Sequence, residues 1–438
     1  MATKTSAAGG GSAFASECRL THPAPCGVPA PCGFPCELRL GPERHAVVEL
    51  GSLARLAILA VPGSRGTFRE QARELLEQVR CIVSRQAVPL TPTTLMVFLR
   101  DASDEDACRE IVDSIFGAAA PVTTIVAQPP CCGAALGVEL WAVGGPEVQV
   151  DRFDREALAV ECDGIRWIYA GDVRGDADAP DAYTESFSAF QQVQRTLARA
   201  GARFDEVVRT WIYVNEITAG EDGRQRYQEL NRARTAYYGD LCFGGRLRAP
   251  QHPGSIYPAS TGIGTTSTGI AIAAMALQSD RPDVFILPLE NPGQTPAYDY
   301  HVSHSPESPK FSRAMAVVQG HFVSILVSGT ASIVDSLTVH VGDAARQTKQ
   351  TLENIQRLIA SENLARHGLP GVAVTLRDVA KLRVYVKHAR DYEACRAVVE
   401  DRLPGVPAIY LHTDVCRPDL LVEIEAVAFA PVAGNAAR

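Results

Sequence analysis

Near its C-terminal end the chain reads Cys416-Arg417-Pro418-Asp419-Leu420-Leu421-Val422-Glu423-Ile424-Glu425-Ala426-Val427-Ala428, with a thiol and a carboxylate seven residues apart. Side chains alternate along a strand, so Glu423 and Glu425 share one face while Val422, Ile424 and Ala426 share the other. Burying a carboxyl disfavours its charged form and raises its pKa, which keeps a proton donor available at neutral pH. Glu423 is therefore a candidate general acid. Arg417 beside it can fork onto a carboxylate in two parallel hydrogen bonds. The competing interpretation is a strand whose glutamates face water.

These residues need a scaffold, and 438 residues exceed the usual single core, so two or three compact units are expected. The net charge of −8, with no basic stretch interleaved with aromatics, argues against nucleic acid. The longer apolar runs, such as Leu53 to Val61, fall well short of the roughly 20 residues that span a bilayer, so no membrane partner is expected. Residues 1 to 40 hold no continuous apolar core of a signal peptide, and a cytoplasmic location is expected. Cys18, Cys26, Cys32 and Cys36 crowd that segment beside His22, but their spacing does not form the paired knuckles of structural zinc. Its Ala, Gly, Pro and Cys bias predicts a disordered lead over 1–40.

A unit recurs three times along the remainder. Its first helix is expected over Phe68–Val83, Phe190–Gly201 and Gln347–Ala360, with apolar residues on one stripe. A strand follows each, over Thr94–Arg100, Glu206–Asn215 and Asp378–Lys387. A second helix starts near Asp104, Gly223 and Arg390. Each copy closes with a strand pair opened by a proline: Pro121–Val126 with Gly137–Val143, Pro258–Ile263 with Gly269–Ala276, and Pro407–His412 with Leu421–Ala428. The units are expected at 45–145, 160–278 and 314–431, joined by a surface loop at Asp172–Asp181 and a proline-rich crossing segment at 279–313. Two helices on one face of a mixed sheet, repeated, is α+β architecture.

This order resembles the RidA (YjgF) family, whose subunits assemble as trimers with sites between subunits. The third copy carries the resemblance best, through Val327-Ser-Gly-Thr330, Gln347–Asn354, Asp378–Lys387 and Val422–Ala428. The resemblance implies a pseudo-trimer within one chain, hence a monomer in solution. Aligning the last strands sets Glu423 opposite Glu139 and Ala271, and Cys416 opposite Cys132 and Gly264. Only the third copy then joins Cys, Arg and Glu, which predicts one site per chain.

Five further segments, in order, resemble the chorismatase family: Tyr257-Pro-Ala-Ser-Thr-Gly-Ile-Gly264, Pro296-Ala-Tyr-Asp-Tyr300, Ser308-Pro-Lys-Phe-Ser-Arg-Ala314, Ser328-Gly-Thr-Ala-Ser-Ile333, and Cys416-Arg417 with Glu423. That resemblance implies cleavage of chorismate, a small-molecule substrate with two carboxylates, a ring hydroxyl and an enolpyruvyl ether, to pyruvate and a ring product. Glu423 would protonate the enolpyruvyl methylene. Arg417, Arg246, Arg248 and Lys310 are candidate cations for the carboxylates, and Tyr298 and Thr261 candidate hydroxyl donors. In the family the branch that makes 3-hydroxybenzoate, in some members with 4-hydroxybenzoate, carries Cys and Gly at the positions of Cys416 and Gly329. The hydrolytic branch, which releases a dihydroxycyclohexadiene carboxylate, carries alanine there. Read without the family, Cys416 is a small buried hydrophobe and Gly329 a turn glycine with positive φ.

Two other classes compete. A RidA-like imine deaminase also holds a carboxylate with arginine, and a ligand-binding regulator would bind without releasing pyruvate. The chain has no GxSxG elbow and no HExxH, and Gly262–Gly269 lacks dinucleotide-binding spacing. No cofactor or metal is expected.

Overall fold

In the computed structural model, residues 36–432 are described, apart from 42–43, 222, 250–253, 255 and 302–305. Three six-stranded mixed sheets carry the chain. The first holds β1 (Cys36–Gly41), β2 (His45–Leu50), β3 (Leu53–Ala60), β4 (Thr91–Leu99), β5 (Val122–Ala127) and β6 (Leu136–Gly144), with α1 (Phe68–Ser84) and α2 (Glu105–Phe116) between them. The second holds β7 (Gln149–Arg152), β8 (Ala157–Cys162), β9 (Ile165–Arg174), β10 (Val207–Asn215), β13 (Ala259–Thr265) and β14 (Ile270–Ser279), with α3 (Ala182–Arg199) and α4 (Arg226–Tyr238). A small hairpin of β11 (Gly220–Glu221) and β12 (Arg224–Gln225) precedes α4. The third holds β15 (Val284–Leu289), β16 (Ala314–Gln319), β17 (Phe322–Ala331), β20 (Val379–Val386), β21 (Ala408–His412) and β22 (Val422–Pro431), with α5 (Ala344–Ile359), α6 (Ser361–Arg366) and α7 (Tyr392–Arg402). The hairpin β18 (Ile333–Val334) and β19 (Leu337–Thr338) follows β17.

Local chemistry explains the helix starts. Thr67 and Glu70 form a reciprocal capping box at α1, while Asp181 and Asp343 accept from backbone amides at α3 and α5. Each apolar stripe packs on the outer face of its sheet: Leu75, Leu76 and Val79 of α1 with Leu56, Leu95 and Leu140, and Leu352, Ile355 and Leu358 of α5 with Val384, Ile424 and Ala426. The inner faces turn toward one another. Phe98, Tyr213 and Tyr385, one from each central strand, meet in a shared apolar cluster, which gives the pseudo-trimer its axis.

Four expectations need correction. Cys36–Gly41 is not part of a structureless lead but an edge strand paired with β2; the other lead cysteines and His22 lie outside the described residues. Val284–Leu289, inside the crossing segment, is the edge strand of the third sheet. Asp172 is not in a loop but near the end of β9, where its carboxylate bonds Arg109 and Arg174.

The fourth is a register. Tyr385 of β20 pairs Glu423, Tyr213 of β10 pairs Ala271, and Phe98 of β4 pairs Gly137. Glu423 is thus equivalent to Ala271 and Gly137, and Glu139 corresponds to Glu425. A two-residue slip keeps each side chain on its face, so alternation alone could not detect it. Gly264 lies on β13 whereas Cys416 lies in the loop before β22, so those two are not equivalent either.

Candidate active site

β22 places Val422, Ile424 and Ala426 in the helix-facing core, and this forces Glu423 and Glu425 onto the inner face. That face is covered by the neighbouring units rather than by water. Glu423 is 4% exposed and Glu425 1%, so the solvated-glutamate interpretation fails. The two carboxyls then diverge. Glu425 meets Arg209 at 2.9 Å and Lys381 at 3.0 Å, and accepts from the Trp211 indole at 3.0 Å and the Thr261 hydroxyl at 2.6 Å. Burial would raise its pKa, but Arg383, Lys381, Arg209 and the Thr261 hydroxyl outweigh it and hold Glu425 below the usual carboxylate range.

Glu423 has no hydrogen-bond or ion-pair partner among the described residues. Its pKa is pushed up to about 8, first by burial and then by the Glu425 charge, with Arg209 and Arg313 pulling the other way. It opens into a cavity of about 680 Å³ between the second and third units. The walls come from α4 and β13 of the second unit, and from β17, the β18–β19 hairpin and the loop before β22 of the third.

Four arginines line this cavity, of which Arg224 is paired with Glu229 at 3.3 Å. Arg313, 3% exposed, donates to the Thr295 carbonyl at 3.2 Å and to the Tyr300 hydroxyl. Arg417 donates to the Ser336 carbonyl at 2.9 Å. Both guanidiniums lie over the Tyr300 ring, Arg313 at 5.6 Å and Arg417 at 5.2 Å from its centroid. Arg234 on α4 is 1% exposed, and its Nε and Nη1 have no partner among the described residues. A buried guanidinium with open donors at a cavity wall is a candidate anion subsite, because leaving it unpaired is costly.

Cys416 also lines the cavity, its thiol pushed up to about 12 by burial and by Glu423. A thiol so raised stays protonated at neutral pH, as part of the cavity wall. Gly329 does not have the positive φ of a turn glycine. It sits at a bulge where β17 crosses β22, and a Cβ there would overlap the Glu423 carboxyl oxygen.

Several expected residues lie elsewhere. Arg246 is on the surface, paired with Asp280 at 3.0 Å, and Arg248 donates to the Gly254 carbonyl. Lys310 donates to the Ser308 hydroxyl at 2.9 Å, and neither it nor Arg248 lines the cavity. Tyr298 packs on Tyr257 at 5.5 Å, so Tyr300 is the cavity tyrosine of that segment. Thr261 is buried with its hydroxyl given to Glu425 and accepting from Arg209. Arg313 and Arg234 were not singled out from sequence. Arg313 stands within Ser308–Ala314, and Arg234 shares the buried stripe of α4 with Leu230, Ala233 and Tyr238. A charge on a core-facing stripe was the available signal.

The same corner occurs at the other two seams, where it is filled. At Gly137 a Cβ would press on Ile409, Val61 and Pro130, so apolar side chains close that corner. At Ala271 the strand partner is Arg174, which joins Glu105 at 2.8 Å, while Arg109 bridges Glu105 and Asp172. Asp172 occupies the position of Gly329, since both sit in matching bulges of β9 and β17. The third unit's corner is thus open, with a buried carboxyl and arginines around it, while the other two are occupied.

Comparison with known proteins identifies the family and the fold. Residues 139–276 match the family described as chorismatase FkbO/Hyg5-like, N-terminal, and residues 304–430 the family described as endoribonuclease L-PSP. A 3-hydroxybenzoate synthase from Streptomyces hygroscopicus is 33% identical over 292 residues, covering 64% of this chain and 81% of that one. A chorismatase from Streptomyces rapamycinicus is 38% identical over 232 residues, covering 51% of this chain and 64% of that one. A crystal structure of a chorismatase aligns with a TM-score of 0.62 at 24% identity, over 85% of this chain and 98% of that one, and that likeness concerns the fold. Among the described residues no helix is long and apolar enough to cross a membrane.

Proposed function

This chain belongs to the chorismatase family, and from that premise we propose that it cleaves chorismate to pyruvate and 3-hydroxybenzoate with Glu423 as the general acid. The observation that carries the proposal is a carboxyl with no partner among the described residues, held neutral on the floor of a cavity whose walls carry Arg234, Arg313 and Arg417.

The arginines would bind the two carboxylates and set the enolpyruvyl methylene over Glu423. Proton transfer to that methylene leaves an oxocarbenium ion and the Glu423 carboxylate. The neighbouring ring hydroxyl then attacks the ring carbon bearing the ether. The C–O bond breaks, its electron pair stays with pyruvate, and the hydroxyl proton returns to Glu423. The resulting arene oxide opens and loses a ring proton to give the aromatic acid, so atoms balance without water or a redox partner. Cys416 and Gly329 support this branch, since both shape the wall beside the acid. In the hydrolytic alternative, water adds to the oxocarbenium ion and the ring keeps both hydroxyls.

The test is to incubate the protein with chorismate and no added cofactor, and resolve the products by chromatography beside Glu423→Gln. Pyruvate with 3-hydroxybenzoate from the wild type and not from the variant is the expected outcome. The dihydroxydiene acid would assign the hydrolytic branch, and absence of pyruvate would return the chain to the deaminase or binding interpretations.

A further inference from the structure

The residue that distinguishes Glu423 from an ordinary buried carboxyl stands two positions along the same strand. Glu425 faces the pseudo-trimer axis, where five charged side chains from all three units are at most 2% exposed: Glu139 from the first unit, Arg209 from the second, and Lys381, Arg383 and Glu425 from the third. Lys381 reaches Glu425 at 3.0 Å and Glu139 at 3.2 Å, and Arg383 lies 3.4 Å from Glu425 while bonding Glu139. Such a set is costly to bury and would serve packing less well than apolar residues of similar volume.

The set also connects to the acid through Thr261. Its hydroxyl accepts from Arg209 at 2.6 Å and from the Gly329 amide at 3.1 Å, and donates to Glu425 at 2.6 Å. Thr261 therefore pins both the Glu425 carboxylate and the bulge glycine against which Glu423 rests.

We propose that Glu425 is a positioning residue for the acid: fixed as a carboxylate by Arg209, Lys381, Arg383 and Thr261, it stands beside Glu423 on one strand face and keeps the proton on Glu423 at neutral pH. The axial cations, and Glu139 opposite them, thus serve chemistry they never touch. This inference rests on Glu423 being the acid.

The charges around Glu423 allow the direction to be worked out. Tyr385 faces it from β20, Tyr227 and Arg234 from α4, Cys416 and Arg417 from the loop before β22, and Tyr300 and Arg313 from the crossing segment. Of the charged groups, Glu425 opposes ionisation of Glu423, while Arg209 and Arg313 favour it. Removing the Glu425 charge removes the repulsion and frees Arg209, two changes with the same sign.

The test uses the full chain with Glu425→Gln, and with Glu425→Gln/Lys381→Met, which leaves the formal charge of the axial set unchanged in case the single variant fails to fold. Glu423 is titrated by carboxyl infrared difference spectra, with Glu423→Gln marking its band, and kcat/KM for pyruvate release is followed against pH. The expected result is that the Glu423 titration and the alkaline limb of the rate both move down by about one pH unit or more, an approximately tenfold rate loss above the new pKa. An unmoved titration in both variants overturns the inference while leaving Glu423 as acid. Full activity in Glu423→Gln overturns the acid assignment instead, and the spectra still report whether Glu425 governs the carboxyl.

Discussion

Gly329 and Glu423 lie so close across adjacent strands that the carboxyl oxygen of one occupies the space a Cβ on the other would fill. The glycine is required by approach, not by backbone conformation, and its nearest other neighbour is Thr261 Cγ2 at 3.2 Å from the Cβ position.

Gly329→Ala should therefore displace the acid rather than unfold the chain. A shift of about 1 Å at a reacting group costs on the order of a hundredfold in rate. The expected outcome is a fall of that order in kcat, with a larger share of the dihydroxydiene product. Unchanged rate and product ratio would show that the close approach has no catalytic role.

The raised pKa of Glu423 has a stability consequence of defined sign. The folded state holds this proton up to about 8, whereas an unfolded glutamate releases it near about 4.3. The contribution is full below about 4.3 and lost as pH rises through about 8. Glu423→Gln should thus be more stable than the wild type at pH 8, by up to about 5 kcal/mol, and no more stable near pH 4. Urea unfolding at the two pH values measures this. In the same window the wild-type rate should be level below about 8 and fall above it.

Arg234 has two buried nitrogens without a partner among the described residues, so its truncation removes a charge-assisted anchor without breaking an internal bond. Arg234→Met is expected to lower kcat/KM for chorismate by about 10- to 100-fold. Steady-state kinetics with thermal unfolding as a control checks it. Arg246→Met, at a surface pair far from the cavity, should leave both unchanged.

The filled corner between the first and second units predicts the converse. Arg109→Met should cost about 1 kcal/mol of stability, since its pairs with Glu105 and Asp172 are partly exposed, and leave kcat/KM unaltered. Because the chain supplies its own three units, light scattering is expected to return the mass of one chain. A three-chain mass would sink the monomer expectation.

Much of this molecule was legible as pattern. The helices at Phe68–Ser84 and Ala344–Ile359 follow from one apolar stripe each, and the repeat order follows from three successive copies of it. Alternation in β22 placed Glu423 and Glu425 on one face because a strand has a period of two. The sequence therefore determined the units, the face of the acid, and the segments that meet around it.

What it could not determine was what that face meets. Whether a glutamate is wet or buried depends on the neighbouring units, and only their closure about the axis added Arg209 to the Lys381 and Arg383 that Glu425 meets within its own sheet, and left Glu423 buried without a partner among the described residues. The choice of Tyr300 over Tyr298, and of Arg313 and Arg234 over Arg246, Arg248 and Lys310, likewise depended on which side chain the chain turns inward. The register of the first unit was ambiguous for the same reason, since a slip of two preserves every face and only hydrogen-bonded pairing resolves it. Local periodicity specifies direction, and long-range packing decides the partner.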